Sequence, residues 1–202
     1  MNRSAWLSAT LSGLLLLLSQ QATATIITFN NWTHASGSDP ADYTVTVDDN
    51  TAGFLTFNIA VNTSTLPDAD LFGFFFDGGN SWDASSAIVS GSNVTGVYYN
   101  TLRCGAGCNV NGLTTDPFDV GVRFLDSGSS SGNLLSTSFT VAALGLSISD
   151  IGRTGIRAQS SGASGNGSDK ALSVSVPEPA SVALIGTGLM LLGFSRKFSR
   201  SK

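Results

Sequence analysis

The chain has 202 residues, 23 of them glycine, with 12% charged residues and a formal net charge of -4, which fits one globular core between shorter terminal segments. Between residues 25 and 176, thirteen Asp and no Glu stand against Arg103, Arg123, Arg153, Arg157 and Lys170, so this stretch has a net charge of -8. Such a body has no basic stripe to release counterions from phosphates, which argues against nucleic acid as a partner, and the lone His34 leaves no second histidine for a catalytic or metal site.

In chain order, residues 1–6 carry one cation, Arg3, and residues 7–18 are mostly apolar and end in five leucines. Ala22 and Ala24 then supply small side chains at the spacing a signal peptidase requires. The pattern predicts a signal helix over 1–24, removed after Ala24 to leave Thr25 as the new N-terminus. The apolar run is shorter than the about 20 residues of a spanning helix and is followed by Ser19, Gln20 and Gln21.

Residues 25–175 alternate repeatedly between apolar and polar side chains, as a strand with one buried face does. Strands are expected at 26–29, 43–47, 55–61, 71–76, 94–99, 118–124, 134–141, 155–159 and 171–176. Phe118, Val120, Val122 and Phe124 are expected to share one face. The stretches 127–132 and 160–168, rich in Ser and Gly, read as surface loops. Nine short strands separated by Gly, Asn, Asp and Ser predict an all-β domain, an antiparallel β-sandwich of jelly-roll-like form.

Chemistry-bearing residues are sparse in this body. His34 lies in a polar stretch and is expected to be a solvated loop residue. Asp68, Asp70, Asp77 and Asp83 flank one apolar strand and are the candidates for a hydrolase built on paired carboxylates, and Asp68, Asp70 and Asp77, or a different loop with Asp48, Asp49, Asn80 or Asp116, are the candidates for calcium ligation. Asp68 and Asp70 imitate the start of an EF-hand loop, but Phe72 occupies the third ligand position and Gly79 stands where the bidentate Glu belongs. Trp32, Trp82, Tyr98 and Tyr99 could stack on sugar rings or pack in the core. Cys104 and Cys108 enclose Gly-Ala-Gly, and in an exported protein this spacing predicts a local disulfide that pins one turn. The sequence calls for no cofactor and carries no nucleophile motif around a serine.

The last 27 residues, 176–202, read VPEPASVALIGTGLMLLGFSRKFSRSK. Pro177 and Pro179 remove two backbone donors and favour an extended, accessible segment. Residues 180–194 are uncharged and would form a helix of about 23 Å at 1.5 Å per residue. Snorkelling of Arg196 and Lys197 would complete a short transmembrane span, and the basic end would stay cytoplasmic. Val176, Pro177, Glu178 and Pro179, the apolar run and the basic pair Arg196 and Lys197 resemble the PEP-CTERM family of exported bacterial proteins. The resemblance implies recognition and removal of the tail by a membrane-embedded exosortase. It further implies transit through the inner membrane to the cell surface or extracellular matrix, in association with exopolysaccharide and biofilm. The function expected is that of a structural or matrix-associated protein rather than an enzyme. A carbohydrate-binding module and an Asp-based hydrolase are the alternatives.

Overall fold

The computed structural model describes residues 25–62, 69–79, 82–124, 134–142, 145–161 and 167–174. The predicted signal at 1–24, Asp68, and the sorting tail with its expected transmembrane helix lie outside the described residues. Among those described, no helix is long and apolar enough to cross a membrane.

The described residues form eleven strands: β1 (Ile26–Phe29), β2 (Thr33–His34), β3 (Tyr43–Asp48), β4 (Phe54–Val61), β5 (Asp70–Phe76), β6 (Val89–Ser90), β7 (Val94–Thr101), β8 (Phe118–Phe124), β9 (Ser136–Ala142), β10 (Arg153–Ser161) and β11 (Gly167–Val174). They pair antiparallel in a five-stranded sheet of order β1-β3-β4-β9-β6 and a six-stranded sheet of order β2-β11-β10-β5-β8-β7. The body is thus all-β, as the alternation implies. β2 and β6, each of two residues, escape the sequence pattern because a period of two needs at least four residues to show. Both are edge strands, and such short edges offer little surface for pairing with another chain.

The two sheets pack face to face through an apolar core. Val45, Val47, Leu55, Phe57, Ile59, Phe139 and Val141 from the first meet Leu71, Phe74, Phe76, Val120, Val122, Phe124, Ile156 and Ala158 from the second. Phe57 stacks on Phe139 with ring centroids 4.9 Å apart and reaches Phe76 at 4.8 Å, so one aromatic cluster bridges both layers.

β5 is apolar almost throughout because both of its faces are covered. Leu71, Phe74 and Phe76 enter the main core, whereas Phe72 and Phe75 join a second cluster with Cys104, Cys108, Val110 and Phe118 on the opposite face of the six-stranded sheet. The register between β5 and β10 slips where Arg157 opposes Gly73 and Ala158 opposes Leu71. This bulge turns the consecutive residues Phe72 and Gly73 toward the same outer face.

The fold corrects two expectations. Phe118 does not share a face with Val120, Val122 and Phe124: it opens β8 directly after Pro117, and its ring packs on Phe75 in the second cluster. The stretch 160–168 is not simply a loop, because β10 continues to Ser161 and β11 begins at Gly167. Ser160 sits at φ 54° beside a register shift between Gln159 and Ser161, a bulge that a Ser/Gly-rich sequence disguises as a turn.

Candidate functional sites

A loop over residues 102–117 lies across the outer face of the six-stranded sheet. The Cys104–Cys108 disulfide fastens it, with Cα atoms 5.0 Å apart. Inside the bridge, Gly105 and Gly107 adopt φ of 97° and 72°, a left-handed conformation that explains why glycines flank Ala106. The cysteines rest on Gly73, where a Cβ would overlap both sulfurs.

Four of the body's five cations bind this loop through its carbonyl oxygens. Arg123 donates to Cys104 O and Ala106 O at 3.1 Å each and lies 4.7 Å over the Phe72 ring. Arg157 donates to Gly107 O at 3.4 Å, and Lys170 Nζ to Asn111 O at 2.9 Å. Arg153 donates to Pro117 O at 3.0 Å and covers the Phe118 ring at 4.2 Å. Burial lowers the pKa of Arg157, and burial together with the Arg157 charge lowers that of Lys170. The few cations of an acidic body are therefore spent inward, on holding a loop to a sheet.

Asp169 is the fully buried carboxylate among the described residues. It accepts from Tyr43 Oη at 2.8 Å and from Ala41 N at 3.1 Å, and it contacts His34 Nδ1 at 3.0 Å. His34 is accordingly no solvated loop residue: it lies on β2 and ties that edge to β11. Asp169 falls in step with Ala171 and Ser173 along β11, a parity the sequence contains but which is hidden when the strand is started at residue 171.

The aromatics divide. Trp32 donates to Tyr43 O at 2.8 Å and packs edge-on to the Tyr43 ring, and Trp82 stacks over Phe76 at 6.0 Å, so both indoles serve the core. Tyr98 and Tyr99 are exposed on β7, and Tyr99 Oη donates to Ala87 O.

Of the carboxylates singled out in the sequence, Asp70, Asp77 and Asp83 are among the described residues. Asp70 opens β5 and Asp77 follows its end, about 23 Å apart at about 3.3 Å per residue, too far to share a cation. Asp70 accepts from Leu134 N at 2.8 Å, and burial raises its pKa. Asp77 pairs with Arg153 at 2.7 Å and accepts from Asp119 N at 3.2 Å. Asp83 caps a 3₁₀ turn at Ala84–Ser86. Among the described residues no three His, Cys, Asp or Glu side chains are grouped to hold a metal ion.

The outer face of the five-stranded sheet has a different character. Thr28, Thr46, Asn58 and Ser138 align in one row across four strands, and Thr44, Ala60 and Ser136 in the next. The small Ala60 leaves a shallow hollow of about 360 Å³, bordered by Thr44, Thr46, Asn58, Ser136 and Ser138. These hydroxyl and amide groups occupy the polar half of each alternating strand, a set legible in the sequence once the strands are paired.

No curated protein and no solved structure matches the chain. A match to a family description does exist, and it falls immediately after β11, which ends at Val174. Residues 175–197 match the PEP-CTERM protein-sorting motif, and the chain therefore carries that surface-sorting signal, which takes in Val176, Pro177, Glu178, Pro179, Arg196 and Lys197.

Proposed function

We propose that this protein is an exported structural component of the cell surface or its polysaccharide matrix, without an enzymatic activity of its own. Its folded sandwich is delivered across the inner membrane and freed from its C-terminal tether by an exosortase-type enzyme. The observation that carries this reading is the sorting motif at 175–197. The placement of reactive groups supports it: His34 is bound to Asp169, and Asp77 is bound to Arg153. Fractionation of cells producing a tagged body tests the proposal. The wild-type body is expected at the surface or in the medium, and replacement of Pro177, Glu178 and Pro179 by Ala should leave it in the membrane fraction. A wild-type body confined to the cytoplasm contradicts the reading.

A second reading, a carbohydrate-binding matrix module, draws on the uncharged rows around Thr46, Asn58 and Ser138 and their shallow hollow. Hydroxyl and amide groups both donate to and accept from sugar hydroxyls, and threonine methyls pack on C–H faces. The triple replacement of Thr46, Asn58 and Ser138 by Lys should abolish retention on matrix polysaccharide. Undiminished retention counts against this face.

A further inference from the structure

The topology places both exits of the folded body at one end of the sandwich. Ile26 opposes Asp48 on β3, Asp48 opposes Thr56 near the start of β4, and Thr56 opposes Thr140 near the end of β9. In the other sheet Val174 opposes Arg153, which begins β10 beside the end of β5. The two sheets are aligned end to end. Val61 N donates to Leu135 O and Leu71 N to Leu134 O at the far end, where Tyr43 also meets Asp169. Thr25 and Val174 therefore emerge together, and the first residue of the sorting motif directly follows Val174.

The same end concentrates charge and exposed apolar surface. Asp48, Asp49, Asp77, Asp83, Asp116, Asp119 and Asp150 gather there, and Arg153 is already committed to Asp77. Ile26, Phe54 and Ile88, exposed by 60%, 42% and 65%, stand on this end as well, with Phe54 opposite Ala142 and Ile88 O accepting from Ala142 N.

We propose that this end is the membrane-facing surface of the tethered protein, with its apolar residues toward the headgroup layer and its carboxylates keeping it off anionic lipid. The inference rests on the sorting reading, since it takes the tail as the tether. Five residues, 175–179, separate Val174 from the uncharged run that begins at residue 180, a reach of at most about 17 Å, so the end that carries Val174 is held nearer the bilayer than the far end. The carboxylates repel an anionic leaflet over roughly a Debye length, about 8 Å at physiological salt. This end of the body thus faces the bilayer, and the far end is directed away from it.

The experiment uses the full chain reconstituted in phosphatidylcholine vesicles that carry a headgroup-bound quencher. A fluorophore is attached at Asn50→Cys, on the exposed β3–β4 turn of the proposed facing end, or at Ser36→Cys, on the exposed loop of the opposite end. Quenching at position 50 should be several-fold greater than at 36. It should weaken at position 50 when phosphatidylglycerol is added and recover with salt. Equal quenching at the two positions, or stronger quenching at 36, overturns the orientation while leaving the sorting reading intact. A chain that fails to remain with the vesicles overturns both.

Discussion

Tyr43 and Asp169 join the two sheets through one hydrogen bond of 2.8 Å in a place closed to solvent. Burial, the neighbouring carboxylate and the bond to it all raise the pKa of the Tyr43 hydroxyl far above its ordinary value of 10.0. The sign of the consequence is fixed by linkage. Below pH 10 the tyrosine is protonated in both folded and unfolded chains and its contribution is fully present. As pH rises beyond 10 the unfolded chain ionises first, and stability falls by up to about 1.4 kcal/mol per pH unit. Denaturant titrations between pH 8 and 11 should show this alkaline decline, and Tyr43→Phe should flatten it; an unchanged slope in the variant would remove Tyr43 from the account. Gly73 makes a second residue-level case, since a methyl group there must displace the disulfide. Gly73→Ala should destabilise the protein by about 1–3 kcal/mol, and the loss should shrink when Cys104 and Cys108 are both replaced by Ser, as a double-mutant cycle would reveal.

At the scale of elements, the long strands are legible because one face of each is buried. β3 and β4 show this in Tyr43, Val45 and Val47 and in Leu55, Phe57, Ile59 and Val61. Legibility fails where tertiary contacts supply the covering. Phe118 shares the parity of Val120 but answers to Phe75 and Arg153, partners brought near only by the completed sheet. The pinned loop is visible as a cysteine pair, yet its docking on Gly73 through Arg123, Arg157 and Lys170 depends on a β-bulge that no periodicity announces. The Cys104–Cys108 bridge closes a short loop, so its entropic contribution is about 2 kcal/mol. Replacing both cysteines by Ser should speed hydrogen exchange at the backbone amides of positions 104, 108 and 110 and leave the β3–β4–β9 amides protected. Uniform loss of protection would show that the loop is integral to the whole fold instead.

For the whole molecule, sequence and fold divide the labour. Sorting information is linear: a motif such as Pro177, Glu178 and Pro179 is defined by the order of its residues, which suffices to reveal it. Surface chemistry is not linear, because the rows through Thr46, Asn58 and Ser138 and the acidic end near Thr25 and Val174 arise only when distant strands pair. Delivery of a folded acidic sandwich to the cell surface by an export signal and a sorting tail is tested by intact-mass analysis of surface-released protein. The predicted mass corresponds to a chain that begins at Thr25, has lost the segment C-terminal to the Pro-Glu-Pro site, and lacks the two hydrogens surrendered by Cys104 and Cys108. A mass matching all 202 residues, recovered from the cytosol, would contradict it.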